Sequence, residues 1–251
     1  MYRSGNPALN DSTFEKSAYK EVSWWEDSES NLMSMNGVVD KTALLLTIVT
    51  LTAIAVYLTA PTFLFLTLLG GIVGFVVALI IIFSGSMNPT LICTYAACQG
   101  LFLGGITWII EKQVEFPGLG IVAAVLTLLI LGVMISIYRA GLISWNKNLQ
   151  IAVTSSMVAI LLIYLVSFIG SFVGFEIPLI HGNGIVGIGF SVFVVGIASL
   201  CLVADFDFIE KGVERGAPKQ LEWRAAFGLL VTLIWLYLEI LKLLAKLASR
   251  R

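Results

Sequence analysis

Seven long apolar segments constrain this chain more strongly than any other feature of its sequence. Each approaches the roughly 20 residues that a helix needs to cross about 30 Å of hydrocarbon. Lipid cannot hydrogen-bond free backbone N–H and C=O groups, so uninterrupted segments of this length are interpreted as helices and not as barrel strands. The sequence therefore predicts an all-α integral membrane protein with seven transmembrane helices in one bundle. The predicted segments are residues 42–60, 62–83, 90–110, 119–138, 150–175, 184–204 and 225–244.

The composition agrees with a chain embedded in lipid. Hydrophobic residues make up 58% of the sequence and charged residues only 12%, against roughly 25% charged residues in a typical soluble domain. The first six segments contain no Asp, Glu, Lys or Arg, and the seventh contains only Glu239 and Lys242. The net charge of −1 provides no basic surface for nucleic acid, so we expect no nucleic-acid partner.

Residues 1–41 differ from the rest of the chain. They hold seven acidic and four basic residues and no apolar run of spanning length. A region of this composition does not bury enough apolar surface to fold into a compact unit by itself. We therefore divide the chain into a polar, partly disordered tail at residues 1–41 and a seven-helix transmembrane domain at residues 42–251.

The distribution of lysine and arginine predicts the orientation. The 4–5 and 6–7 connections are basic, whereas the 1–2 and 5–6 connections contain no Lys or Arg. Cytoplasmic loops carry the excess of these residues, which predicts a cytoplasmic N-terminus. The basic residues Lys246, Arg250 and Arg251 conflict with this orientation, because seven crossings place them outside. Either the last helix spans with a basic end on the opposite side, which we prefer, or it dips into the membrane and returns.

Ionisable groups at membrane depth are the strongest functional candidates, since each costs roughly 2.5–3.5 kcal/mol at the centre of a membrane helix. Asp205 and Asp207 are predicted to end the sixth helix at the cytoplasmic boundary, where the helix dipole disfavours carboxylates. Asp207 has Lys211 four residues further on and is explained equally well as a surface ion pair. Asp205 has no such local cation and is the first candidate for a functional carboxylate.

Glu239 and Gln99 are the other polar candidates. Glu239 shares a helix face with Lys242 and Lys246, which gives the seventh segment a polar stripe. Two interpretations of the stripe stay open: an ion pair with lysines that extend to the far interface, or an inward-facing path for protons or cations. Gln99 is interpreted as a supporting polar group that hydrogen-bonds between helices.

Two glycine pairs have the spacing that allows helices to approach closely. Gly70 and Gly74 lie in the second segment, and Gly100 and Gly104 lie in the third. Small residues four positions apart let helix backbones pack at short range. Glycine is also generally frequent in membrane helices, so either explanation accounts for one pair alone.

Nothing in the sequence predicts catalysis or a bound cofactor. Hydrolysis requires a nucleophile with a base within reach, and the single histidine, His181, lies in the 5–6 connection. The odd number of cysteines, all in apolar stretches, argues against a disulfide framework or a thiolate metal site. No nucleotide-binding or metallohydrolase motif is present. We expect no enzymatic activity and no cofactor, and the sequence leaves open whether any metal is bound.

Four short motifs accompany the seven segments. They are RSGNPAL at residues 3–9, QGLFLG at 99–104, DFD at 205–207 and LYLEIL at 236–241. With these motifs, the whole membrane domain resembles the Bax inhibitor-1 family, which carries the transmembrane Bax inhibitor motif, in a bacterial branch. The resemblance implies an integral protein of the plasma membrane, here the bacterial inner membrane.

The resemblance also implies a pH-sensitive calcium leak channel in which two membrane-embedded carboxylates sense protons. Asp205 matches the carboxylate that closes the sixth helix, and Glu239 matches the one on the seventh. The implied partners are the lipid bilayer, protons and Ca²⁺ as the transported ion. If the two acids share a proton the helices are held together, and its loss opens a path lined by anionic oxygens. The chain departs from the family pattern at Glu239, where Asp is usual, and at Gln99, where an acid is common.

Two other functions stay open. A proton-coupled secondary transporter of a small solute predicts paired inverted segments broken by Gly or Pro, and no clear internal repeat is present. A non-transporting scaffold that binds other membrane proteins predicts no flux at all. The sequence does not decide ion selectivity, the oligomeric state, or whether Asp205 and Glu239 meet.

Overall fold

Seven long helices form the framework of the computed structural model, which describes residues 31–171, 182 and 184–250. By length and composition, all seven are able to cross a membrane. The predicted class, an all-α integral membrane protein with seven spans, is confirmed. The helices are α1 (Met35–Thr59), α2 (Phe65–Ser84), α3 (Pro89–Val114), α4 (Leu119–Arg139), α5 (Lys147–Ser171), α6 (Ile185–Glu214) and α7 (Leu221–Ala248).

The first helix begins earlier than its apolar segment. The Ser34 side chain accepts a hydrogen bond from the Gly37 backbone N–H at 3.0 Å and so caps the N-terminus of α1. Residues 35–41, which the sequence analysis assigns to the polar tail, are therefore helical. Residues 1–30 and His181 lie outside the described residues, and the disorder expected of the tail stays a prediction.

The prediction that the acidic motif ends the sixth helix is wrong. α6 continues ten residues past Ala204 and ends at Glu214. Phe206 and Phe208 on this extension are buried, so packing supports the helix where the mean hydropathy falls. The chain leaves the helix at Gly216, whose φ of 65° is a left-handed conformation that glycine adopts without a steric penalty. Asp205 consequently lies well inside α6, away from the unfavourable dipole at its C-terminus.

The helices contribute to two compact units. The first contains the described residues up to Ile109 together with Asp205–Val231, and the second contains the described residues between Ile110 and Ala204 together with those from Thr232 onward. α1, α2, most of α3 and the start of α7 belong to the first unit. α4, α5, most of α6 and the end of α7 belong to the second.

Glycines bring the backbones of three helices together in the first unit. Gly100 and Gly104 of α3 face the α1 backbone at Val49 and Ala53. Gly70 of α2 faces the backbone of α3 in the same way. The close helix approach indicated by the glycine spacing is confirmed, because a side chain at these positions would meet backbone atoms of the neighbouring helix.

Replacing Gly104 with alanine is expected to lower the free energy of unfolding by about 1–3 kcal/mol, the usual range for overpacking. The new Cβ would overlap the backbone of Ala53, and a backbone does not rotate away as a flexible side chain does. The matched control is Gly132→Ala on α4, where no described atom lies within 4 Å of the added Cβ. Unfolding in detergent measures both variants, and an equal loss in both would contradict the packing role of Gly104.

Candidate functional site

The two carboxylates of the acidic motif have different environments in the first unit. Asp205 is completely buried, with 0% of its surface exposed, whereas Asp207 is partly exposed. A carboxylate oxygen of Asp207 lies 2.5 Å from the Lys211 ammonium, which confirms the ion pair expected from their spacing. Residues two positions apart point to nearly opposite sides of a helix, which explains the contrast. The candidate role therefore falls on Asp205, since Asp207 is already paired with Lys211 near the surface.

Gln99 lies at the contact between α3 and α2. Its side-chain nitrogen is 3.1 Å from the place that a Cβ on Gly74 would occupy. The amide thus packs against the small face of α2, and the half-buried position is compatible with the supporting role expected of it. The hydrogen bond between helices stays a prediction.

Glu239 is the centre of a polar cluster in the second unit. Its side chain is 2% exposed, and each carboxylate oxygen has a donor. The Tyr164 hydroxyl donates to Oε2 at 2.9 Å, and the Lys242 ammonium donates to Oε1 at 2.9 Å. The same ammonium lies 4.8 Å from the centre of the Tyr164 ring. The predicted Glu239–Lys242 ion pair is confirmed, and the phenol of Tyr164 completes it.

Lys246 extends this polar face to α6. Its ammonium donates to the Gly187 carbonyl at 3.0 Å and to the Ser191 hydroxyl at 2.8 Å. These two acceptors join the end of α7 to the beginning of α6 within the second unit. Sequence spacing does not reveal this contact, because its partners lie more than 50 residues away along the chain. Whether the stripe forms a proton or cation path stays a prediction.

The sequence analysis missed two further buried carboxylates. Glu111 of α3 accepts a hydrogen bond from the Gly120 backbone N–H at 2.7 Å. The other is Glu222, in the first turn of α7. Its side chain is 0% exposed and belongs to the first unit. Oε1 accepts hydrogen bonds from the Ser34 backbone N–H at 2.9 Å and from the Ser34 hydroxyl at 3.1 Å. Oε2 forms an ion pair with Lys41, whose ammonium lies 5.5 Å from the centre of the Trp223 ring. Glu222 therefore holds the beginning of α1 against the beginning of α7.

We name Ser34, Gly37, Lys41 and Glu222 the Glu222 clamp. Gly37 is part of it because any Cβ at this position would overlap the carboxylate. Backbone hydrogen bonds support the clamp, since the Met33 N–H donates to the carbonyl of residue 217 at 2.7 Å and an antiparallel bridge joins residues 32 and 218. One signal in the sequence could have indicated the clamp. Lys41 precedes the first apolar segment and Glu222 precedes the seventh, and these two segments begin on the same predicted side of the membrane.

The described residues contain no group of three or more His, Cys, Asp or Glu that could hold a metal ion. A Ca²⁺ ion bound tightly by a protein typically has about six to eight oxygen ligands. A single buried carboxylate has a different capability, because it changes its charge when it binds a proton and attracts a passing cation when ionised.

A family model described as Bax inhibitor 1 like matches residues 6–249, nearly the whole chain. The matched range includes the four carboxylates that are buried among the described residues, Glu111, Asp205, Glu222 and Glu239. No curated protein matches the chain.

Proposed function

Because this chain belongs to the Bax inhibitor 1-like family of membrane proteins, we propose that it is a pH-sensitive cation leak channel that conducts Ca²⁺. The proposal places it in the bacterial inner membrane, without enzymatic activity and without a bound cofactor. Asp205 and Glu239 sense protons in this proposal. The observation that carries it is the complete burial of the Asp205 carboxyl in a helix of spanning length.

Burial gives protonation of Asp205 a large electrostatic effect. Charges interact more strongly in a medium of low dielectric constant than in water, so gaining or losing one charge there changes the energy of a nearby cation markedly. The ionised carboxylate favours entry of Ca²⁺, and the protonated form does not. The leak is therefore expected to increase as the pH rises.

Glu239 supplies a second proton-dependent contact. In its ionised form it accepts hydrogen bonds from both Tyr164 and Lys242. Protonation removes the charge that attracts the Lys242 ammonium, and the Lys242 side chain is already 44% exposed. Protonation also removes the charge that strengthens the hydrogen bond from the Tyr164 hydroxyl, so the link between α5 and α7 is weakened. In this way a proton acts on helix packing in the second unit as well as on the local charge.

The test is Ca²⁺ flux into proteoliposomes that contain the full chain, followed with an encapsulated calcium indicator over a range of pH. We expect flux above that of protein-free liposomes, with a rate that increases with pH. Flux equal to that of protein-free liposomes would refute a channel and favour the scaffold. Saturable uptake that is driven by a proton gradient and inhibited by a small solute would favour the secondary transporter.

A further inference from the structure

Lys242 is the exposed partner of the buried Glu239 carboxylate. Its ammonium donates to Oε1 at 2.9 Å, and the Tyr164 hydroxyl donates to Oε2 at 2.9 Å. The Glu239 side chain is 2% exposed, whereas the Lys242 side chain is 44% exposed. A cation that approaches Oε1 from the surface of the second unit therefore meets the Lys242 ammonium first.

The second lysine of the polar stripe has other acceptors. The Lys246 ammonium donates to the Gly187 carbonyl and to the Ser191 hydroxyl, which are both neutral groups of α6. Among the described residues, Lys242 is the one that forms an ion pair with Glu239. The positive charge that neutralises this carboxylate is thus assigned to a single side chain.

The Lys242 side chain lies near the end of its helix. It is six residues before the end of α7 at Ala248, or about 9 Å along the axis at 1.5 Å per residue. Lysines this close to the end of a spanning helix extend their ammonium groups to the interface. The Lys242 ammonium therefore has two places within its reach, the carboxylate with the Tyr164 ring beside it, and the water at the interface.

The geometry points to Lys242 as a tethered competitor of the transported cation, which has to leave the Glu239 carboxylate before Ca²⁺ contacts Oε1. This inference rests on the proposed conduction and names the residue that limits its rate. The ammonium and Ca²⁺ are attracted by the same oxygen and repel each other at short range. The tether gives the ammonium a high effective concentration at the carboxylate, which favours it over a free ion.

The competition also depends on the charge of the transported ion. The energy of an ion in a given electrostatic potential is proportional to its charge, so a neighbouring ammonium disfavours a divalent ion twice as strongly as a monovalent one. A substitution that raises the rate about tenfold for Ca²⁺ is then expected to raise it only about threefold for Na⁺. Lys242 therefore influences the preference between these two ions.

The test is the flux of Ca²⁺ and of Na⁺ into proteoliposomes that contain the full chain, each followed with an encapsulated indicator at one mildly alkaline pH. We expect Lys242→Gln to raise Ca²⁺ flux about tenfold, the lower end of the range over which local charge changes encounter rates. Lys242→Arg keeps the charge and is expected to keep the flux. The matched control is Lys112→Gln, which removes an exposed lysine at the end of α3 in the same unit and is expected to change neither flux.

A double variant shows whether Lys242 acts through the carboxylate. In Glu239→Gln the ammonium has no anion to occupy and extends to water, where its charge is screened. Adding Lys242→Gln to Glu239→Gln is therefore expected to leave the Ca²⁺ flux unchanged. A tenfold gain that persists in the double variant would attribute the effect to surface charge and overturn the inference.

Two further outcomes would overturn the inference without refuting the channel. Ca²⁺ flux in Lys242→Gln equal to that of a conducting unmodified protein would show that the ammonium does not limit the leak. Equal increases for Ca²⁺ and Na⁺ would show a nonselective opening caused by lost packing. If neither the unmodified protein nor Lys242→Gln exceeds protein-free liposomes, the proposed function itself is wrong, and the inference is wrong with it.

Discussion

Replacing Glu222 with alanine is expected to lower the free energy of unfolding by about 3–5 kcal/mol, the range for removing one partner of a buried ion pair. The loss is large because Glu222 is 0% exposed and accepts from both Ser34 and Lys41. Removal of the carboxylate leaves the Lys41 ammonium, in a side chain only 18% exposed, without its counter-charge. Reversible unfolding of the detergent-solubilised protein by increasing SDS measures the change.

Two further variants separate charge from packing at the Glu222 clamp. Asp40→Ala removes an exposed acid beside Lys41 and is expected to change stability by no more than about 0.5 kcal/mol. The double variant Lys41→Met with Glu222→Leu replaces both charges by apolar groups and is expected to recover part of the loss. A Glu222→Ala variant as stable as Asp40→Ala would contradict the structural role of the clamp.

Replacing Asp205 with asparagine is expected to lower Ca²⁺ flux about tenfold at mildly alkaline pH, which corresponds to losing about 1.4 kcal/mol of attraction for the cation. Asparagine keeps the size of the side chain but neither ionises nor titrates. The increase of flux with pH should therefore become shallower in this variant. Flux into proteoliposomes at several pH values, normalised to the amount of reconstituted protein, measures both effects.

Glu210→Gln is the matched control for Asp205→Asn. Glu210 lies on the same helix, five residues further on, and is exposed. Its neutralisation removes the same charge from an exposed position of α6, and the flux is expected to stay close to that of the unmodified protein. Equal reductions in both variants would attribute the effect to surface charge and would contradict the specific role of Asp205.

The seven spans could be predicted from sequence because hydropathy reports directly on transfer into lipid. The ends of the helices could not be predicted in this way, because they depend on local hydrogen bonds and packing. Ser34 starts α1 within a polar stretch, and buried aromatics continue α6 past Ala204. A hydropathy window detects neither effect.

The candidate site was predictable only where its contacts are local. The pairs Asp207–Lys211 and Glu239–Lys242 follow from helix spacing, and the structure contains both. Glu222 and Lys41 are 181 residues apart, and the hydroxyl of Tyr164 reaches Glu239 across 75 residues. Such partners depend on tertiary packing, which the spacing of residues along one helix does not report.

The pH dependence of Ca²⁺ flux in the double variant Asp205→Asn with Glu239→Gln tests the central claim most directly. Each substitution replaces a titratable carboxyl group by an amide of similar size. We expect a low flux that is the same at mildly acidic and mildly alkaline pH. Flux at the level of the unmodified protein, with its pH dependence intact, would show that these buried carboxylates do not control conduction.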